Sequence, residues 1–126
     1  MKDFKEDCWI LYGIRIFNIF IGFKKYHSRG SASEVSFDYD TVSKKSVIGW
    51  LHTHPGVKSI TPSATDNRTM RSWVKSFYKS YICGIHCNGR EAFYKYRLNG
   101  VSKKNVTMVK REKMKIEFIG SFFIAF

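Results

Sequence analysis

The chain has 126 residues, of which 44% are hydrophobic and 17% aromatic. This size predicts a single domain over residues 1–126, and the apolar fraction excludes intrinsic disorder as its general state. The 22 Lys and Arg residues against 10 Asp and Glu give a net charge of +12, which suits anionic partners such as nucleic acid, an anionic membrane or an acidic protein surface.

The most apolar segment, Cys8 to Phe23, is too short to be a membrane-spanning helix. Arg15 interrupts it, and a spanning helix needs about 20 apolar residues. Charged residues precede it and no small-residue cleavage site follows, unlike a signal peptide. The three cysteines form no even disulfide framework. We therefore expect no membrane span and a reduced, cytoplasmic location.

The N-terminal elements are predicted to be strands. Trp9 to Phe23, rich in Ile, Phe and Tyr, predicts one or two adjacent buried strands with a kink at Gly13. Lys24 to Ser33 is polar and predicts an exposed loop, and Glu34 to Tyr39 predicts a short strand. Ser46 to His54 is again typical of a strand.

From Pro62 the apolar period changes to that of a helix. Met70, Trp73, Val74 and Phe77 follow the i, i+3, i+4, i+7 template. This pattern predicts one amphipathic helix in the middle of the chain.

The C-terminal half returns to strands. Tyr81 to Cys87 and Ala92 to Leu98 predict two strands joined by an Asn88-Gly89 hairpin turn, and Asn99-Gly100 predicts another hairpin into Val101 to Met108. The tail, Lys115 to Phe126, fits either a strand or a short helix. Strands on both sides of one helix indicate an α/β or α+β fold with a mixed sheet.

The segment from Trp50 to Asp66 contains three residues that can bind a metal ion. His52 and His54 are two apart, so on a strand their side chains lie on one face. Asp66 lies about one turn into the predicted helix, which can fold back against that strand. Two imidazoles and one carboxylate leave the fourth tetrahedral position to water, as in a catalytic zinc site.

Structural roles can also account for these residues. Two histidines at i and i+2 also occur on polar strand faces, and Ser63-x-x-Asp66 also fits a helix capping box. Each feature alone favours the structural role, and the spacing of the whole set favours the metal site.

The complete motif resembles the H-x-H-P…P-S-x-x-D signature of the JAMM (MPN-plus) metalloproteases. It comprises His52-Thr53-His54-Pro55 and, after six residues, Pro62-Ser63-Ala64-Thr65-Asp66. The resemblance implies that His52, His54 and Asp66 bind one Zn²⁺ and that Ser63 stabilises the oxyanion.

The family also has a catalytic glutamate on an earlier strand, in an E-x-x-G-x-L-x-G context. The segment from Glu6 to Gly13 is similar to it, with Leu11 and Gly13 in place and Trp9 where glycine is usual. The resemblance therefore implies that Glu6 is the general base. Glu34, which opens a strand-like segment before the histidines, is the alternative.

The resemblance implies a single JAMM/MPN-like domain of the α/β (α+β) class, a cytidine-deaminase-like fold with a curved mixed sheet and flanking helices. It implies a zinc-dependent metallopeptidase or isopeptidase that hydrolyses a peptide or isopeptide bond at the C-terminus of a ubiquitin-like modifier. The expected partner is a ubiquitin-like protein or its conjugate.

Two other features of the sequence bear on possible binding sites. Cys83, His86 and Cys87 do not predict a second zinc site, because strand alternation places His86 opposite the two cysteines, which we expect in the core. The basic residues of the helix and the C-terminal third suggest an alternative function, a non-catalytic JAMM-fold module that binds nucleic acid.

Overall fold

The computed structural model describes residues 5–17, 19–31, 46–54, 60–99 and 108–126. Within these ranges the chain forms eight strands and one helix. In chain order the elements are β1 (Lys5–Ile16), β2 (Ile19–Ser31), β3 (Val47–Thr53), α1 (Ala64–Phe77), β4 (Tyr81–Cys87), β5 (Arg90–Asn99), β6 (Met108–Met114), β7 (Ile116–Ile119) and β8 (Phe122–Ala125).

The eight strands form one curled, mixed sheet in the order β6-β5-β4-β3-β1-β2-β8-β7. Strands β3 and β4 are parallel, and the other neighbouring pairs are antiparallel. β6 and β7 lie at opposite ends of this order, although only Lys115 separates them in the chain. The backbone of Lys115 exchanges two hydrogen bonds with that of Phe126. The sheet therefore curls until its two ends approach each other.

The predicted α/β fold with flanking helices, of the cytidine-deaminase-like type, is wrong. Strands account for most of the described residues, and α1 covers only one side of the sheet, over β4, β5 and β6. The side chains of the opposite side pack against one another inside the curl. They form one core cluster with residues from four different strands: Leu11, Ile48, Phe93 and Phe123. Because the curl removes these side chains from water, that side needs no covering helix.

The central helix is confirmed. Met70 and Val74 are fully buried, and both belong to the second core cluster, between α1 and the sheet. Ser63 is the N-cap, and the helix ends at Tyr78, which has a φ of 53°. No helix within the described ranges is long and apolar enough to cross a membrane.

The N-terminal prediction of two adjacent strands is confirmed, with one correction to their extent. β1 and β2 form a hairpin in which Gly13 pairs with Gly22. A Cβ built on Gly13 would lie 2.1 Å from the carbonyl oxygen of Ile21, so the close approach of two backbones explains this glycine. The exposed loop predicted over Lys24 to Ser33 is wrong, because β2 continues to Ser31.

The C-terminal predictions are largely confirmed. β4 spans Tyr81–Cys87 as predicted, and the turn to β5 has positive φ at Asn88 and Gly89. The tail forms the β7–β8 hairpin rather than a helix. The predicted strand over residues 34–39 and the hairpin turn at residues 99–100 lie wholly or partly outside the described residues.

Candidate metal centre

Strand β3 and the first turn of α1 bring the three predicted metal ligands together. His52 Nε2 lies 3.1 Å from Asp66 Oδ1, and His54 Nε2 lies 3.0 Å from Asp66 Oδ2. The two Nε2 atoms are 3.1 Å apart. Two imidazoles and a carboxylate thus converge on one point, and this group can hold a metal ion.

The separations between the donor atoms, which involve both oxygens of Asp66, are close to those of a tetrahedral site. Ligands at about 2.0–2.1 Å from a tetrahedral zinc ion lie about 3.3 Å from one another, close to the observed separations. Hydrogen bonds explain two of these three separations. Each Nε2 carries at most one proton and can donate it to its own oxygen of Asp66, but when both protons are used in this way the 3.1 Å approach of the two Nε2 atoms has no hydrogen bond.

The start of α1 fixes the Asp66 carboxylate. Ser63 and Asp66 form the capping box: the backbone N–H of Asp66 donates to Ser63 Oγ at 3.1 Å, and the backbone N–H of Ser63 donates to Asp66 Oδ2 at 3.0 Å. The capping and metal-binding interpretations of this motif are therefore compatible, because one carboxylate can do both. The cap orients the carboxylate towards the two histidines.

Electrostatics keep this carboxylate ionised. Burial by itself raises the pKa of Asp66, but hydrogen bonds from His52 and His54, the charge interaction with His52 and the Ser63 N–H outweigh it and hold the pKa well below its usual range. An ionised carboxylate is the form that binds a cation.

Burial protects the histidine side of the centre. His52 is fully buried, and its ring stacks on that of Trp50, with 4.1 Å between centroids and 18° between planes. Its Nδ1 has no hydrogen-bond partner in the described part of the chain. His54 and Asp66 keep 9% and 8% of their side chains exposed, so the centre can be reached from their side.

The structure describes the other predicted catalytic residues to different extents. The backbone of Glu6 lies on β1, two residues before Cys8, whose partner on β3 is His52. The backbone N–H of Asp7 donates to Thr53 Oγ1 at 2.9 Å, so this end of β1 runs beside the histidines. Ser63 is exposed at the N-cap. Glu34, the alternative base, lies outside the described residues.

Sequence reasoning missed Trp50 as part of the centre. It precedes His52 by two residues, so strand alternation was a sufficient signal that the rings share one face. It also missed the contacts of Asn67, whose Oδ1 accepts hydrogen bonds from Tyr96 and from Arg111. No local signal marks this pairing, because Asn67 and its partners come from different parts of the chain.

The prediction that Cys83 and Cys87 lie in the core is confirmed. Cys83 and Cys87 are buried and His86 is half-buried. Burial, followed by the charge of Asp66, raises the pKa of Cys83 well above its usual value, as befits an inert core thiol. Among the described residues, no other cluster of His, Cys, Asp and Glu converges in this way.

The chain matches no protein-family model, no curated protein and no solved structure.

Proposed function

We propose that the protein is a zinc-dependent hydrolase that cleaves peptide or isopeptide bonds. The convergence of His52, His54 and Asp66 in a partly accessible centre carries the proposal. Two histidines and one carboxylate form a donor set used for catalytic zinc, whereas structural zinc sites use four protein ligands, most of them cysteines. A zinc ion held by this set would supply the Lewis acidity that makes water a nucleophile at neutral pH.

The remaining chemistry is assigned to the chain's own residues. Glu6 accepts a proton from the attacking water and passes it to the leaving amine. Supporting this role, the β1–β3 register, continued by two positions from the Cys8–His52 pair, brings position 6 level with His54. Ser63 is the proposed oxyanion donor, because it is exposed beside Asp66 and its Oγ, which accepts from the Asp66 N–H, keeps its own proton to donate.

The choice of an amide substrate depends on the resemblance to the JAMM metalloproteases. The resemblance is confined to the motif, since the flanking-helix fold is absent from the described structure. It favours the C-terminus of a ubiquitin-like modifier as the substrate, and a leaving Lys amine would make the protein an isopeptidase.

A panel of ubiquitin-like conjugates and linear fusions, incubated with the protein in the presence of zinc or of a chelator, tests the proposal. We expect cleavage that chelation abolishes and zinc restores. Glu6→Gln should bind zinc like the wild type but lose cleavage. If zinc binds stoichiometrically and neither the panel nor unrelated peptides are cleaved, the hydrolase assignment is wrong and the metal is structural.

The basic surface supports the alternative, a non-catalytic module that binds nucleic acid. Arg111 and Lys113 are exposed on β6 and form no ion pair with another described residue, whereas Glu112 between them pairs with Lys95, Arg97 and Lys110. The positive charge of Lys113 is therefore available to phosphates, whereas the Arg111 guanidinium already donates to Asn67 Oδ1 and lies over the Tyr94 ring.

Binding of a labelled oligonucleotide at several salt concentrations tests this alternative. We expect affinity to fall steeply with salt, and Lys113→Gln to reduce the slope of log K against log salt by about 1. Absence of binding at low salt, or a flat salt dependence, would exclude it.

A further inference from the structure

One side of the sheet carries an uncovered apolar surface. The side that α1 covers over β4, β5 and β6 continues across β1, β2, β8 and β7, where no described element packs on it. The strand register sets two rows of apolar residues side by side there. These residues, here called the apolar face, are Ile14, Ile21 and Ile124 in one row and Phe23, Phe122 and Ile119 in the next.

The apolar face is exposed although its residues are large and hydrophobic. The exposed fraction rises from 37% at Ile124 to 66% at Phe122 and 82% at Ile119. With about 200 Å² for a large side chain, the six residues present roughly 600 Å² of apolar surface. This area lies at the upper end of the range for the largest apolar patch on a monomer, about 300–600 Å².

We infer that the apolar face is the interface of a symmetric homodimer. Ile16, Ile19 and Phe126, also 39–49% exposed, extend it towards the roughly 800 Å² per partner that a stable interface buries. Sheet faces lined by branched and aromatic side chains pack on each other at about 10 Å. A hollow of about 240 Å³ between Ile21, Ile119 and Phe122 has room for a side chain of the second copy.

Charge on the apolar face favours a second copy over an unrelated partner. Lys25 follows Phe23 by two residues on β2, and Glu117 precedes Ile119 by two on β7, so both lie on this side of the sheet. Both are exposed, and neither forms an ion pair with a described residue. In a symmetric dimer each contact between two residues occurs twice. Lys25 of each copy can therefore pair with Glu117 of the other, which makes the face complementary to itself. This inference does not depend on the metal centre.

Sedimentation velocity of the full chain over a wide concentration range measures the dimer. Phe122→Glu should weaken association at least about 30-fold, as expected for a central interface residue. The matched control is Ser121→Glu, which adds the same charge in the exposed β7–β8 turn and should leave the dimer unchanged. Circular dichroism and the melting temperature confirm that both variants fold.

A charge exchange tests the orientation. Lys25→Glu and Glu117→Lys should each weaken the homodimer, because like charges then meet twice, and a mixture of the two variants should form a heterodimer with wild-type affinity. A wild type that is monomeric at all concentrations overturns the inference, as does a dimer that Phe122→Glu leaves intact. A mixture that associates no better than its components overturns the Lys25–Glu117 pairing.

Discussion

Zinc should stabilise the folded protein through the three converging donors, and His54→Ala should remove that stabilisation. The ligands come from β3 and from α1, so an ion that binds them ties two separate elements together in the folded state only. At free zinc of about 100 times its Kd, the free energy of unfolding rises by about 2.7 kcal/mol. For a domain of this size, that corresponds to a rise in melting temperature of roughly 10 °C.

The assay is a thermal melt with zinc and with chelator. The measured quantity, here called the zinc increment, is the difference between the two melting temperatures. His54→Ala is preferable to a change at His52, because His52 is fully buried and stacked on Trp50. Losing the contact with ionised Asp66 also lowers the metal-free stability, by about 1.5–3 kcal/mol, so only the zinc-dependent increment is diagnostic.

His86→Ala is the matched control. It removes the same side chain from β4, the strand beside β3, where the ring takes no part in the centre. It should keep the whole zinc increment. If His54→Ala keeps it too, zinc binds elsewhere. If the wild type shows no increment, the three donors do not form a metal site.

Glu6→Gln should lower cleavage by about 100- to 10,000-fold with zinc affinity unchanged, because the amide cannot accept a proton; if only Glu34→Gln abolishes cleavage, the base is Glu34. Gly13→Ala should destabilise the fold by about 1–3 kcal/mol in a denaturant titration, since its Cβ would collide with the Ile21 carbonyl; unchanged stability would mean that the hairpin is not so close. The lowered pKa of Asp66 predicts a pH dependence, measured without metal as the difference in unfolding free energy between the wild type and Asp66→Asn. The contribution of the ionised carboxylate is complete above its unfolded-state pKa, near 3.8, and is lost as the pH falls below it, so the difference should shrink; a difference independent of pH would contradict this.

The residues of the candidate centre were predictable because their arrangement depends on short-range rules. Strand alternation puts His52 and His54 on one face of β3, and the capping-box pattern puts Asp66 at the third residue of α1. Both rules act within a few residues, so no knowledge of the sheet is needed. Cys83 and Cys87 were predicted to be core residues by the same alternation.

The course of the N-terminal strands was not predictable in this way. Gly13 is typical of a kink in the sequence, and only its pairing with Gly22 shows that it permits a close approach of two strands. The polar residues after Lys24 look like a loop, but they form the second half of β2 because β1 pairs with them along its whole length. Cross-strand contacts override the local preference there.

The local sequence is enough to predict the residues of the candidate metal centre, the position of the central helix and the strand β4, since each depends on neighbours along the chain. The three-dimensional fold was needed to establish the strand order, the parallel pairing of β3 with β4 and the curl that joins β6 to β7 through Lys115. These features depend on pairings between distant segments, and many such pairings satisfy the same alternation of apolar and polar residues. The curl also decided which apolar residues are buried: Phe123 lies inside it, whereas its neighbour Phe122 lies outside, because successive side chains of a strand point to opposite faces.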